Sequence, residues 1–469
     1  MKRQIRILTN AGILSPVELR KLTAIARSYA CDAFQFTDRN EIVVDVSEWD
    51  VRTLMAVFDR NGFTCFEGSQ SQHPIVTSYQ ANGILKTTSW LTDDVYLDVV
   101  SSFQAHASVR VNIVDPLQAL VPLYTGQLNF IASHHKNFWY LHINLPDFEE
   151  GEFWPAFIYT DDILAVTRDI ERLLSERKIT NVHDLFENID STAIRNSRAV
   201  DKELVVEQRF IPTYEGWHTG HSSCWLGIYT KNYKYSLDFV DDLCDVCVDR
   251  DVAKIHITSW RSLIIKGIRE QDRIPWETLL GKHTINTRHA YAELYWQLEE
   301  ITEESLALRD KIVREFYVHD ANTFGLYFAL RSNDRPAYGN IIIQPVATER
   351  YTLYYTANFS PNENDWVLYQ KNCDLDQLIE SICELNIQYH SFKGSAIPSP
   401  RHRPAAGVLH STELYQCKTC LTVYNEKVGD VVNQISAGTP FKDLPTTYCC
   451  PVCDGGVEDY ALMEVVHQE

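Results

Sequence analysis

Cysteine thiolates at metal-ligand spacing are the strongest chemical feature of this chain. Cys417-Lys418-Thr419-Cys420 is followed, after 29 intervening residues, by Cys450-Pro451-Val452-Cys453. Each Cys-x-x-Cys turn can aim two sulfurs at one point, so the two turns together suit a tetrahedral zinc or iron. That spacing selects Cys417, Cys420, Cys450 and Cys453 as ligands and leaves the adjacent Cys449 as a spectator. Other candidates are thinner. Cys244 and Cys247 repeat the spacing but lie on or beside the apolar stripe of an expected helix, which reads as buried thiol rather than ligand. His218, His221 and Cys224 form a string without a fourth ligand, His134-His135 is a pair that could ligate, and Arg401-His402-Arg403 reads as a solvated face. The G-x-G-x-x-G, Walker A and G-x-S-x-G patterns are absent, so no intrinsic nicotinamide, flavin, nucleotide-hydrolysing or hydrolase site is indicated.

The elements around these residues divide the chain. Residues 395–412 carry three prolines and small residues without apolar periodicity, the mark of a linker. The module that follows, 413–469, is too small for a large core and needs a staple, for which a metal is the natural choice. Upstream lies an internal repeat. With a constant offset of 221, Ser15 pairs with Ser236, Leu22 with Leu243, Ile25 with Val246 and Thr37 with Thr258. Both serines suit a helix N-cap and Pro16 suits the first helical position. Each helix leads into an expected strand, Phe34 to Val46 and Ile255 to Ile268. Val109–Ile113, Trp139–Ile143, Phe324–Leu330, Ile341–Pro345 and Tyr351–Asn358 read as strands. Asp161–Ser175, Tyr291–Arg314 and Leu375–Glu384 read as helices. The expected class is α+β with mixed sheets, divided as 1–190, 191–394, a linker over 395–412, and 413–469.

The 469 residues carry a net charge of −20, which would repel a phosphate backbone and argues against a nucleic-acid partner. No apolar run has the length of a membrane span. No secretory leader is visible, so the expected compartment is the cytoplasm, where a disulfide framework for the twelve cysteines is improbable. From Glu413 onward nine acidic residues face three lysines and no arginine, a local balance of −6 that favours a basic protein partner.

Tyr415-Gln416-Cys417-Lys418-Thr419-Cys420, Val423-Tyr424, Gly438-Thr439-Pro440-Phe441-Lys442-Asp443-Leu444-Pro445 and Tyr448-Cys449-Cys450-Pro451-Val452-Cys453 resemble rubredoxin over about 413–463. The resemblance implies one iron held by the four thiolates, cycling between ferric and ferrous states. It also implies a small core of Tyr415, Tyr424, Phe441, Tyr448 and Tyr460. Where family members carry Gly after the second cysteine of each turn, this chain has Leu421 and Asp454.

Gly12-Ile13-Leu14-Ser15-Pro16, Phe36-Thr37-Asp38-Arg39-Asn40-Glu41-Ile42 and Ile257-Thr258-Ser259-Trp260-Arg261-Ser262-Leu263-Ile264-Ile265 resemble the duplicated ferredoxin-like half-domains of sirohaem-dependent nitrite and sulfite reductases, over about 5–390. That family holds sirohaem and a [4Fe–4S] cluster with C-x5-C and C-x3-C cysteines. Here Cys31, Cys65, Cys224, Cys244, Cys247, Cys373 and Cys383 lack that spacing, so no [4Fe–4S] cluster and no sirohaem are expected. The family's basic stretch falls near Lys136-Asn137-Phe138-Trp139, with Asn137 and Trp139 in place of its lysines. Arg6, Arg39 and Arg110 stand where family arginines sit, a vestigial place for an anion or a tetrapyrrole carboxylate. The resulting expectation is an electron carrier with no catalytic residue assigned, its large region a docking scaffold for redox partner proteins, in inorganic nitrogen or sulfur assimilation. The alternatives are a sirohaem- or tetrapyrrole-dependent reductase fed by its own rubredoxin domain, and a binding module with structural zinc.

Overall fold

The computed structural model describes residues 2–68, 73–103, 106–148, 150–190, 192–206, 213–220, 223–331, 338–356, 359–362 and 366–396, and in the tail 414–419, 422–424, 426, 429–430, 433, 435–436, 438–451, 453 and 455–463. The chain forms two compact units, Met1–Gly394 and Ser395–Glu469. Among the described residues no helix is long and apolar enough to cross a membrane.

The body's first helix follows from its local sequence. Ser15 accepts from the Glu18 backbone N–H, the Glu18 side chain returns to the Ser15 backbone, and Pro16 opens the helix Pro16–Ser28. At an offset of 221, Ser236 caps the helix Leu237–Asp249 through the Phe239 N–H. The buried positions repeat as well: Pro16, Leu19, Leu22, Thr23 and Ala26 in the first helix, Leu237, Val240, Leu243, Cys244 and Cys247 in the second. The two helices pack together, with Arg27 on Asp238 and Asp241, Arg20 on Asp245, and Thr23 on Asp241.

Each expected long strand is instead a hairpin. Ala33–Phe36 turns back through 37–41 into Ile42–Ser47, and Ile255–Ile257 turns back through 258–262 into Leu263–Ile268. The threonines make the turns. Thr37 Oγ1 accepts from the Arg39 and Glu41 N–H groups, and Thr258 Oγ1 accepts from the Trp260 N–H. Asn40 and Arg261, 221 apart, sit at φ 64° and 55°. Asn tolerates this left-handed backbone and Arg adopts it only at a cost, so at this place only the first turn carries a turn-forming residue.

The two copies exchange strands. Ile13–Leu14 pairs with Ile255–His256, and Lys234–Ser236 pairs with Ala33–Gln35. Leu14 faces Ile255 as Tyr235 faces Phe34, the same pairing reproduced at an offset of 221. Each copy thus covers an edge of the other's five-stranded sheet, and one apolar core spans both.

A second pair of sheets repeats a second pattern. Val76–Thr77, Val111–Val114 and Leu128–Ala132 run parallel, then Phe138–Ile143, Ala156–Tyr159 and Ser197–Ala199 add antiparallel. In the other sheet Trp296–Leu298, Phe328–Leu330 and Ile341–Ala347 run parallel, and Arg350–Thr356 and Trp366–Cys373 add antiparallel. Parallel neighbours need crossovers, and helices Asp93–Ser102 and Glu303–Val318 lie in corresponding connections. The expected helix Tyr291–Arg314 is therefore not continuous. Tyr291–Leu294 is one short turn, Trp296–Leu298 joins the sheet, and Thr302 caps a new helix, Glu303–Val318. Pairing with Phe328–Leu330 overrides the helical pattern there. The strand Ser197–Ala199 carries the first large sheet beyond residue 190. Helix Leu375–Ala396 runs through the first two residues of the expected linker, and 397–412 lies outside the described residues.

In the tail, Val423–Tyr424, Leu414–Cys417 and Tyr460–Met463 form a three-stranded antiparallel sheet. Its core is Cys417, Tyr424, Phe441, Leu444, Tyr448, Cys450 and Tyr460.

Candidate metal centre

Cys417 ends the strand Leu414–Cys417 and Cys450 opens the second Cys-x-x-Cys turn; both are buried. Backbone bonds close the two turns, from Cys417 N–H to Thr422 O at 2.8 Å and from Cys450 N–H to Gly455 O at 2.7 Å. The Sγ atoms of Cys417, Cys450 and Cys453 all lie within 4.8 Å of one another, and Cys417 and Cys453 are 3.5 Å apart. A tetrahedral ion with metal–sulfur bonds of about 2.3 Å needs sulfur–sulfur edges of roughly 3.8 Å. The three sulfurs therefore fit one ion. Cys420, Leu421 and Asp454 lie outside the described residues. Cys449 is exposed, its thiol turned to the Thr447 carbonyl at 3.7 Å, and it is not one of the grouped sulfurs.

Aromatic rings wall the site. Tyr415 stacks on Phe441 at 4.0 Å, and Phe441 meets Tyr424 at 5.6 Å and Tyr460 at 5.2 Å. The Phe441 N–H donates to Glu426 and the Tyr424 hydroxyl to Thr439 O, which holds the Gly-Thr-Pro-Phe turn over the ring cluster. Tyr448 donates to the buried Asp430 at 2.9 Å, and Asn433 donates to the same carboxylate. Burial, with Asp430 accepting its proton, pushes the Tyr448 phenol up to about 12, so it stays a neutral donor. Tyr460 Oη is buried without a partner in good hydrogen-bond geometry, and Cys450 and Tyr448 are the polar groups that face it.

In the body, Arg110 lies beside Arg39, and Glu41 stands between Arg39 and Arg6. Arg6 pairs with Glu41 at 3.0 Å, and Glu41 also faces Arg39. Burial, with Arg110 alongside, lowers the Arg39 guanidinium to about 10. Arg39 is 9% exposed and donates to Asn112 Oδ1 at 2.8 Å and to Val111 O at 2.9 Å. At the position of the family's basic stretch, Asn137 makes the turn at φ 65°, and Trp139 is buried with Nε1 on Thr160. Both residues serve the hairpin and core.

The weaker candidates separate. Cys244 and Cys247 lie in the core of helix Leu237–Asp249, and burial pushes the Cys244 thiol up to about 12. His218 stacks on Trp225 at 3.8 Å and bonds Glu215 O, while Cys224 is buried in the strand Cys224–Ile228; His221 and 401–403 lie outside the described residues. His134 and His135 do converge, and on a residue that no spacing pointed to: Asp201, 66 positions beyond His135. Asp430 likewise carries no signal in the sequence, since nothing around an acidic residue in a loop marks it as buried.

The rubredoxin family model matches residues 414–460. The chain is similar to the rubredoxin of an uptake hydrogenase operon from Azotobacter chroococcum, 42% identical over 59 residues, 13% of this chain and 82% of that protein. It is 42% identical over 48 residues to Rubredoxin-2 of Chlorobaculum tepidum, 10% of this chain and 92% of that one. With Rubredoxin-1 of Pseudomonas putida it shares 44% over 48 residues, and the match spans 10% of this chain and only 27% of that protein. The body is similar in fold to the solved NirA protein of Mycobacterium tuberculosis, with a TM-score of 0.62 at 13% identity over 86% of this chain and 82% of that one.

Proposed function

The chain belongs to the rubredoxin family through residues 414–460, and on that premise we propose that it is an electron-transfer protein whose large body is a docking scaffold for redox partners. The observation that carries this is the group of three cysteine sulfurs at metal-binding separations inside an aromatic wall. An iron bound there supplies one-electron ferric–ferrous chemistry. Cys417, Cys450 and Cys453, with Cys420 as the fourth thiolate, hold it; the rings of Tyr415, Tyr424 and Phe441 exclude water, so a change of charge needs little rearrangement. In the body, the bonds from Arg39 to Asn112 and Val111 favour a structural over a catalytic use of that residue. A setting in nitrite or sulfite metabolism rests on the resemblance of residues 12–16, 36–42 and 257–265 to nitrite and sulfite reductases, and the likeness of the body to NirA is one of fold. The acidic tail favours a basic partner and a transfer rate that falls with salt.

An absorption spectrum and metal analysis of the isolated protein test this. Thiolate-to-iron bands that bleach with dithionite, one iron per chain and no Soret band are expected. A stoichiometric tetrapyrrole would replace the scaffold reading with a reductase, and a colourless protein with one zinc would overturn electron transfer. Cys450→Ser is expected to abolish the iron spectrum and Cys449→Ser to leave it nearly intact; the reverse would show that the ligand register is wrong.

A further inference from the structure

The hairpin between strands Leu128–Ala132 and Phe138–Ile143 carries His134 and His135 at its tip. The tip is held firmly. Ser133 Oγ accepts from the His135 N–H, His135 O accepts from the Phe138 N–H, and Asn137 O accepts from the Thr160 N–H. The two imidazoles lie 3.9 Å apart by centroid and both rest on the ring of Phe157, at 6.1 and 5.5 Å. Across from them stands Asp201, just past the strand Ser197–Ala199. Pairing with Ala156–Ile158 and a bond from the Tyr140 hydroxyl to Lys202 O hold that segment in place.

Both imidazoles already stand at metal-ligand separations from the carboxylate. His134 Nε2 is 3.4 Å from one Asp201 oxygen and His135 Nε2 is 2.9 Å from the other, and one ligand atom from each residue lies within 4.8 Å of the rest. Bonds of about 2.0–2.2 Å to imidazole nitrogen and carboxylate oxygen put neighbouring ligands roughly 3.0–3.4 Å apart. His134 and Asp201 are 42% and 46% exposed, so solvent reaches the remaining coordination positions. Two nitrogens and one oxygen suit a borderline first-row divalent ion and disfavour magnesium and calcium, which take oxygen ligands. The equivalent hairpin of the second copy, between Ile341–Ala347 and Arg350–Thr356, turns through Thr348 and Glu349 and offers no imidazole.

We propose that His134, His135 and Asp201 bind one divalent transition-metal ion of the zinc–nickel class, with water completing its coordination. The ion ties the hairpin tip to the segment after Ser197–Ala199. Arg198, 3.4 Å from Asp201, is the one cation already on that carboxylate among the described residues, and it competes with the metal.

The test is calorimetric titration of the iron-loaded full chain, its thiolate site filled, with nickel ion alone in a non-chelating buffer. One-to-one saturable binding is expected. His134→Ala, His135→Ala and Asp201→Asn should each weaken it about tenfold or more, and Arg198→Gln should tighten it by relieving the competition. Circular dichroism and thermal unfolding confirm that each variant is folded. Because Arg198→Gln predicts a gain, loss of fold imitates only part of the pattern. No saturable binding in the parent protein would overturn the proposal, as would binding that survives in the double variant His134→Ala/His135→Ala.

Discussion

In the first body copy the turn closed by Thr37 carries Arg39, and in the second the turn closed by Thr258 carries Trp260 at the equivalent place. The backbones agree down to the left-handed φ of Asn40 and Arg261, yet the side chains enter opposite kinds of surroundings. Arg39 sits beside Arg110 and Glu41 and donates to Asn112 and Val111. Trp260 donates to Leu120 O, stacks on Tyr214 at 5.5 Å and is ringed by Tyr295, Tyr327 and Tyr338. Duplication thus copies the hydrogen-bonded frame, because caps and turns are local. It does not copy the chemistry of the position, because that is set by whatever packs against it. One copy buries a guanidinium among polar partners at this place, and the other builds aromatic core there.

This contrast can be broken in order of expected effect. All ten tryptophans precede the tail, so tryptophan fluorescence during urea unfolding reports the body alone. Trp260→Ala removes a ring that is 2% exposed and is expected to cost about 3–5 kcal/mol. A loss below about 1 kcal/mol would mean that the aromatic cluster is not a packed core. Arg39→Met keeps the bulk and removes the donors to Asn112 and Val111, at an expected cost of about 1–3 kcal/mol. A neutral result would show that the cationic position is dispensable for folding. The helix caps come next: Ser15→Ala is expected to cost about 1 kcal/mol, and Ser236→Ala, which has no reciprocal Glu, no more than that.

The smallest effect separates Glu41 from its counterpart Ser262, which does not titrate. Burial raises the Glu41 carboxyl above its ordinary 4.5, partly opposed by Arg6. The unfolded chain then loses its proton first as pH rises, so Glu41 makes stability fall from about pH 4.5 up to its raised folded value. Glu41→Gln should remove that slope, read as unfolding midpoints across pH 4–7. A slope that persists would assign it to another group.

The capped helices at 16–28 and 237–249, the strands at 111–114, 138–143 and 341–347, and the helix at 163–176 were legible because each rests on local periodicity and end signals. The hairpins were not: the second turn holds no Gly, Pro, Asn or Asp, and in the first Asp38 and Asn40 interrupt an apolar strand pattern that resumes at once on the far side. The strand Trp296–Leu298 was hidden because its three residues also fit a helical stripe, and only the parallel neighbour Phe328–Leu330 decides between them. For the metal centre, Cys417, Cys450 and Cys453 were legible from spacing alone. Asp430 and its Tyr448 partner were not.

What the sequence determined by itself is whatever a few neighbouring residues can enforce: two Cys-x-x-Cys turns, a Gly-Thr-Pro-Phe turn over a ring cluster, and a frame repeated at an offset of 221. Only the tertiary structure decided how those pieces complete one another. It paired Leu14 with Ile255 and Phe34 with Tyr235, turned Arg39 onto Asn112 and Val111, and set Asp201 against His134 and His135. Such contacts join groups tens to hundreds of residues apart. They depend on which sheet edges need covering and which buried polar atoms need partners, and no local pattern in the chain records either.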